Sequence, residues 1–394
     1  MDAILSAADG ARRLIRDLET DNIAALATRA NALEGVIRLW YGEGDVVTPD
    51  FVKDAAAKAL QEGRTFYEPD MRGSADLLDA LSKYQSALHK RPIGEDRSAV
   101  QPSGMQTLHL AMTLVCDPGQ SVVTIEPQWP NIRHVVTLAG GRTVPVPLDM
   151  DAVRPTLDLD RLFDACSTDT AAICFSTPAN PTGWTATREE LSAILEFARA
   201  RGIWVISDEV YNRLWFGNEQ CAPSIVPLAE PEDRVLTVNS FSKAWAMTGW
   251  RIGWLVHPPS LQAKIAAVTQ YMNSGTAPFI QAAAAVALSE GEPLVAKIRD
   301  RCRDGLDVAY GALAPVSGVR LSEKPRGGMY AFFRLTDEDD SEAACTRILE
   351  EARVGLAPGF MFGAAGQAYL RMCVCRETEV VREASTRIAQ ALHR

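Results

Sequence analysis

Between about residue 50 and residue 280 the chain alternates short apolar runs with longer amphipathic stretches. The apolar runs Ser121–Glu126, Ala171–Ser176, Trp204–Ser207, Arg234–Ser240 and Gly253–His257 read as strands. Helix-like segments separate several of them, notably Thr107–Cys116 and Thr187–Arg201. This alternation predicts an α/β unit on a mostly parallel sheet, because near-continuous apolar strands belong to sheets covered by helices on both faces. Residues 1 to about 35 predict helix, with Ile4, Leu14, Ile15 and Leu18 set among charges. After about residue 282 an alanine-rich helix (Gln281–Leu288 and onward) leads into mixed elements, with strands expected at Gly328–Arg334 and Ala368–Cys375. The expected division is an N-terminal arm and part of a small domain over 1–48, a large domain holding the cofactor site over 49–285, and the rest of a smaller α/β domain over 286–394.

Composition narrows the function classes. The chain has 394 residues, 47% hydrophobic and 23% charged, which is globular and long enough for a substantial core. A formal net charge of -10 without a polybasic tract argues against a nucleic-acid partner. Small anions stay possible ligands wherever helix N-termini face them. Eight scattered cysteines form no CxxC pair and accompany no His cluster, so they read as buried or free thiols in a reducing compartment, with no metal site. The charged N-terminal segment lacks a signal-peptide apolar core, and no apolar stretch reaches the ~20 residues needed to cross a bilayer. A cytoplasmic protein without a membrane partner is expected.

The densest chemical signal is the string from Ser240 to Gly253, Ser-Phe-Ser-Lys-Ala-Trp-Ala-Met-Thr-Gly-Trp-Arg-Ile-Gly, between two apolar runs. Lys243 in such a loop is either a solvated turn residue or an amine nucleophile for an aldehyde cofactor. Ser240 and Arg251 bracket it with a hydroxyl and a guanidinium, both good phosphate ligands. Asp208 and Tyr211, in Asp-Glu-Val-Tyr, follow a predicted strand, where ligands of open α/β sheets collect; a helix N-cap followed by core residues is the plainer alternative. Asn180-Pro-Thr-Gly183 opens a turn after another strand. Ser103-Gly104-Met105 precedes a helical run, so it is an N-cap, an anion seat, or both. Trp129 after a strand is either a core anchor or a stacking platform. Arg371 in an apolar strand needs an anionic partner, and its planar fork suits a carboxylate.

Taken together, these residues resemble class I/II aminotransferases of the fold-type I group of pyridoxal 5'-phosphate (PLP) enzymes, with matches in order along nearly the whole chain. The resemblance implies a Schiff base between PLP and Lys243, with Asp208 at the pyridine nitrogen and Asn180 and Tyr211 at the phenolic oxygen. Trp129 stacks on the ring, while the Gly104 and Met105 amides, Ser240 and Arg251 receive the phosphate. Met105 departs from the family's usual Gly or Ala, which leaves an amide role intact. Arg371, with Asn180 and the Gly42 amide in Tyr-Gly-Glu-Gly, binds the substrate α-carboxylate; Gly44 replaces the family's usual proline and loosens that turn. Tyr67 sends its hydroxyl to the phosphate of a neighbouring subunit, which makes a two-fold homodimer with shared sites the expected assembly.

The same resemblance implies ping-pong transamination between an amino acid and a 2-oxo acid. Other chemistry occurs on the same site in this group, namely β-lyase, decarboxylase, cyclopropane-forming and oxidase-like reactions. The alternative of another class is a non-catalytic binder, such as the effector domain of a transcription regulator; the roughly 35 residues before the Gly42 region are expected to be too few for its DNA-binding helices. Met105-Gln106-Thr107 carries no cation, which weighs against a dicarboxylic donor. Trp40, Tyr41, Trp215 and Trp245 either line an apolar pocket or belong to the core.

Overall fold

A computed structural model describes residues 10–18 and 23–392. Leu14 and Ile15 fall in a short helix, Arg13–Arg16, with Leu18 just beyond it, and a second helix covers Ile23–Asn31; Ile4 lies outside the described residues. Strand β1 (Ile37–Arg38) precedes the main sheet, whose members are β2 (Ser98–Gln101), β3 (Ser121–Glu126), β4 (Arg142–Pro147), β5 (Thr170–Ser176), β6 (Trp204–Asp208), β7 (Val235–Ser240) and β8 (Gly253–Val256). Their spatial order is β2-β8-β7-β6-β5-β3-β4; β8 runs antiparallel to both neighbours and every other pairing is parallel. All residues of β2, β3, β5, β7 and β8 are buried, as a sheet sandwiched between helices demands.

The exception is β4, which is only partly buried and carries Pro145 and Pro147. It occupies the sheet edge, the one place where a strand tolerates residues that cannot donate to a ladder. The helices between strands have local causes. Arg188–Arg201 begins at a reciprocal capping box between Thr187 and Glu190 and ends at Gly202, whose φ of 66° is left-handed.

The C-terminal region forms a four-stranded antiparallel sheet ordered β12-β13-β10-β9, from β9 (Val319–Leu321), β10 (Tyr330–Leu335), β12 (Ala357–Pro358) and β13 (Tyr369–Cys373). Between them, β11 (Val354–Gly355) pairs in parallel with β1, tying the start of the chain to this smaller unit. The long helix Glu292–Leu313 and the last helix, Thr378–Leu392, pack behind the small sheet. Among the described residues no helix is long and apolar enough to cross a membrane.

Candidate active site

The strand order brings the chemistry to one edge. Strands β3, β5, β6 and β7 end there at Glu126, Ser176, Asp208 and Ser240, and antiparallel β8 starts there at Gly253, between Gln101 and Ser240. Segments that follow β2, β3, β5, β6 and β7 therefore converge although they are far apart in sequence. They enclose a cavity of about 930 Å³ lined by Gly42, Gly104, Met105, Trp129, Asn180, Asp208, Tyr211, Ser240, Lys243, Arg251 and Arg371. Tyr67 stands apart at 81% exposure, the one expected cofactor or substrate residue that the cavity of its own chain does not contain. A slightly larger cavity of about 1060 Å³, between residues 182–190, 215–227 and 323–326, contains none of them.

One end of the site is an anion seat. Ser103 caps the helix Gly104–Val115, its Oγ accepting from the Gln106 amide at 3.1 Å and its carbonyl from the Thr107 amide. The first two amides of the helix, Gly104 and Met105, then have no acceptor within the helix. Ser240, Ser242 and Arg251 line the same cavity. Ser103 (φ 114°) and Arg251 (φ 53°) both hold left-handed backbone without being glycine, at a cost of about 1–3 kcal/mol each, as happens where surroundings dictate the geometry of a binding site. Gly253 has no room for a side chain: a Cβ would lie 2.6 Å from the Asn239 carbonyl oxygen and 2.8 Å from the Gly104 nitrogen.

At the cavity floor Lys243 Nζ donates to the Gly42 carbonyl at 2.6 Å. Burial holds this amine below its ordinary pKa, and the Arg371 charge acts in the same direction, so a larger fraction is the neutral nucleophile. The carboxylate of buried Asp208 accepts the Val210 amide at 3.2 Å, while its backbone carbonyl accepts from Thr177. Burial pushes its carboxyl up to about 7, against the smaller opposing effects of that hydrogen bond and of Lys243. Tyr211 and Tyr330 share a hydroxyl–hydroxyl hydrogen bond of 2.8 Å, and burial raises both phenols, Tyr330 to about 12.

Arg371 reaches the cavity from the middle of the small sheet, where it pairs with Phe332 on one side and Ala357 on the other. Its guanidinium donates to Asn180 Oδ1 at 2.8 Å and to the Trp40 carbonyl, and it lies 4.5 Å from the Tyr330 ring centroid. Its Nε has no acceptor, and among the described residues no carboxylate pairs with it. A buried guanidinium of this kind is costly unless an anion arrives.

Several sequence alternatives resolve here. Tyr41 lines the cavity, whereas Trp40 is core, Trp245 packs with Phe241 and Trp254, and Trp215 borders the second cavity. Gly44 lies against Cys375, whose Sγ would be 3.0 Å from an added Cβ, so this thiol fills space beside the turn. Tyr330 and Ser242 are cavity residues that the sequence pattern did not single out. Ser242 sits within the lysine string, and a Tyr in the apolar run after Gly327-Gly328 carries a hydroxyl that needs a buried partner.

The set suits a phosphorylated pyridine aldehyde. The helix start at Gly104 would receive a phosphate, Lys243 an aldehyde carbon, and Trp129 a ring face. Asp208, a carboxylate whose ionisation burial opposes, matches a ring nitrogen that brings a positive charge. In the protein without cofactor, the raised Asp208 pKa has a stability consequence. A carboxyl with a folded pKa near 7 and an unfolded value of 3.8 favours the folded state at low pH, and loses that advantage as pH rises through about 7. Asp208 and Glu209, the latter also pushed up to about 7 by burial, each lower the unfolding midpoint of the cofactor-free protein between about pH 4 and pH 7, while His89 and His257, whose imidazoles burial holds down to about 4, act in the opposite sense. Asp208→Asn should therefore make the midpoint fall less, or rise more, across that window than in the unaltered protein.

Comparison with known proteins agrees with this geometry. Residues 35–388 match the family described as aminotransferase class I and II. The aspartate aminotransferase of Pyrococcus horikoshii is 30% identical over 379 residues, spanning 95% of both chains. The arginine–pyruvate transaminase of Pseudomonas aeruginosa is 30% identical over 358 residues, or 90% of each. Among solved structures, the aspartate aminotransferase of Thermotoga maritima superposes with a TM-score of 0.89 at 30% identity, covering 98% of this chain and 100% of its own. An edge-converging site with a half-buried lysine, a buried carboxylate and a buried guanidinium, on a chain whose residues 35–388 match the family, makes this protein a member of the PLP-dependent class I and II aminotransferases.

Proposed function

We propose that the chain moves an amino group from an α-amino acid to a 2-oxo acid through PLP, with Lys243 as the attachment point and Arg371 as the carboxylate clamp. The observation that carries this reading is the buried guanidinium of Arg371, unpaired with any carboxylate among the described residues, in the cavity that holds Lys243. A planar carboxylate would take its fork, with Asn180 already fixed beside it at 2.8 Å. PLP supplies the electron sink that stabilises the charge left at the substrate Cα. Lys243, depressed in pKa and free to leave the Gly42 carbonyl, would accept the Cα proton at Nζ and deliver it to the cofactor's aldehyde carbon, on the far side of the amino nitrogen. Asp208 keeps positive charge on the ring nitrogen, while Tyr211 and Asn180 stand ready to donate to the phenolic oxygen. Both substrates use the same clamp in turn, so the kinetics are ping-pong.

Borohydride reduction of cofactor-loaded protein, followed by peptide mass analysis, is expected to tag Lys243; a tag elsewhere, or none, overturns the reading. An amino acid alone should change the visible band and a 2-oxo acid should restore it. Release of ammonia or carbon dioxide without consumption of the oxo acid would instead favour a lyase or decarboxylase. Relatives of similar identity are named for aspartate and arginine donors, so twenty amino acids tested against 2-oxoglutarate and pyruvate would establish the donor.

The assembly we propose is a homodimer in which Tyr67 completes the partner's anion seat. In its support, Phe66, Tyr67 and Tyr271 are all more than four-fifths exposed in the single chain, an unusual state for aromatics. Tyr67→Phe should weaken cofactor retention about tenfold, the loss of one hydrogen bond to a charged group. Mixing Tyr67→Phe with Lys243→Ala subunits should restore one complete site per mixed dimer; no recovery after subunit exchange would refute shared sites. The setting we propose is the cytoplasm, and in its support seven of the eight cysteines are buried thiols.

A further inference from the structure

Tyr330 occupies a junction that no assigned role explains. Its ring is 2% exposed, its hydroxyl lies 2.8 Å from that of Tyr211, and its face carries the Arg371 guanidinium at 4.5 Å. The hydroxyl is also seated against Gly42, where an added Cβ would come 2.0 Å from it, and the Gly42 carbonyl is the acceptor for Lys243. One side chain of the small sheet thus touches three groups of the site: the phenol at the cofactor, the carboxylate clamp, and the loop holding the lysine.

We propose that Tyr330 is a positioning residue that donates its hydroxyl proton to Tyr211, leaving the Tyr211 proton free for the cofactor's phenolic oxygen, while its ring holds Arg371 in place. The reason is donor arithmetic. Each phenol has one proton, so if Tyr211 donates to the cofactor, the bond between the two tyrosines must be supplied by Tyr330. A hydroxyl that accepts while it donates is a stronger donor, because the chain is polarised in one direction. No covalent step is involved; Tyr330 acts through Tyr211 and Arg371. The proposal rests on Lys243 being the cofactor lysine.

The test is a pH titration of the visible band of the loaded protein, which reads the protonation of the lysine–cofactor link without turnover. Tyr330→Phe removes one oxygen and keeps the ring, so packing and the Arg371 contact survive. It should raise the titration midpoint by roughly half a unit, less than Tyr211→Phe does, with KM for amino acids nearly unchanged. In a Tyr211→Phe background the same change should produce no further shift, because its route is gone. Tyr330→Leu should add a several-fold rise in KM through Arg371. A midpoint unmoved by Tyr330→Phe, or moved equally with and without the Tyr211 hydroxyl, overturns the inference. Borohydride tagging of each variant separates the two claims: no tag on Lys243 in the unaltered protein defeats the function itself, whereas a full tag with an unmoved midpoint defeats only the role of Tyr330.

Discussion

Lys243→Ala is expected to lose the visible cofactor band and to reduce transamination by about 10⁴-fold or more, the combined loss of a covalent anchor and a proton carrier. The protein should remain folded. The Lys243 side chain lines an open cavity, so its truncation leaves no sealed void, and burial already disfavours its charge. Thermal unfolding of the cofactor-free variant should therefore occur at or above the temperature of the unaltered protein. Absorbance, steady-state rates and unfolding on the same preparations check all three statements. Retained turnover would mean that the chemistry lies elsewhere.

Arg371→Leu should act differently. It removes the partner that a substrate carboxylate needs, at an expected loss of about 10²–10⁴ in kcat/KM, from the 3–5 kcal/mol typical of breaking a buried charged pair. The loss should appear for amino acids and 2-oxo acids alike, and should vanish for amines without a carboxylate. Without substrate the sign reverses: Arg371 is a buried cation with an unpartnered Nε, so its replacement by an apolar side chain should leave stability equal or higher. Arg371→Lys should recover little, because an ammonium cannot reproduce the fork shared between a carboxylate and Asn180. Rates with paired substrates and amines, together with unfolding midpoints, distinguish this from general damage.

The legibility of the fold followed burial. Strands covered on both faces, such as β3, announced themselves as apolar runs, and Ser121–Glu126 is both the expected and the observed span. Edge strand β4 did not, since a partly buried strand with two prolines has no apolar signature. The lysine string was legible because its residues are close in sequence and serve one turn between β7 and β8. Tyr330 was not, because in sequence it is one more large residue in an apolar run; only packing shows that its hydroxyl meets Tyr211, 119 positions away.

The order of elements, the capped helix start at Gly104 and the candidate nucleophile Lys243 were written in the sequence, since each depends on residues within a turn or two of one another. The tertiary structure alone decided which distant groups share a cavity. Arg371 and Asn180 meet across 191 positions, and Lys243 and Gly42 across 201. The physical reason is that the main sheet gathers its strand ends at one edge, the small sheet and the turn at Gly42 bring Arg371 and a carbonyl against that edge, and burial there changes what each group is: an amine leaning neutral, a carboxyl resisting ionisation, and a guanidinium without a carboxylate partner among the described residues.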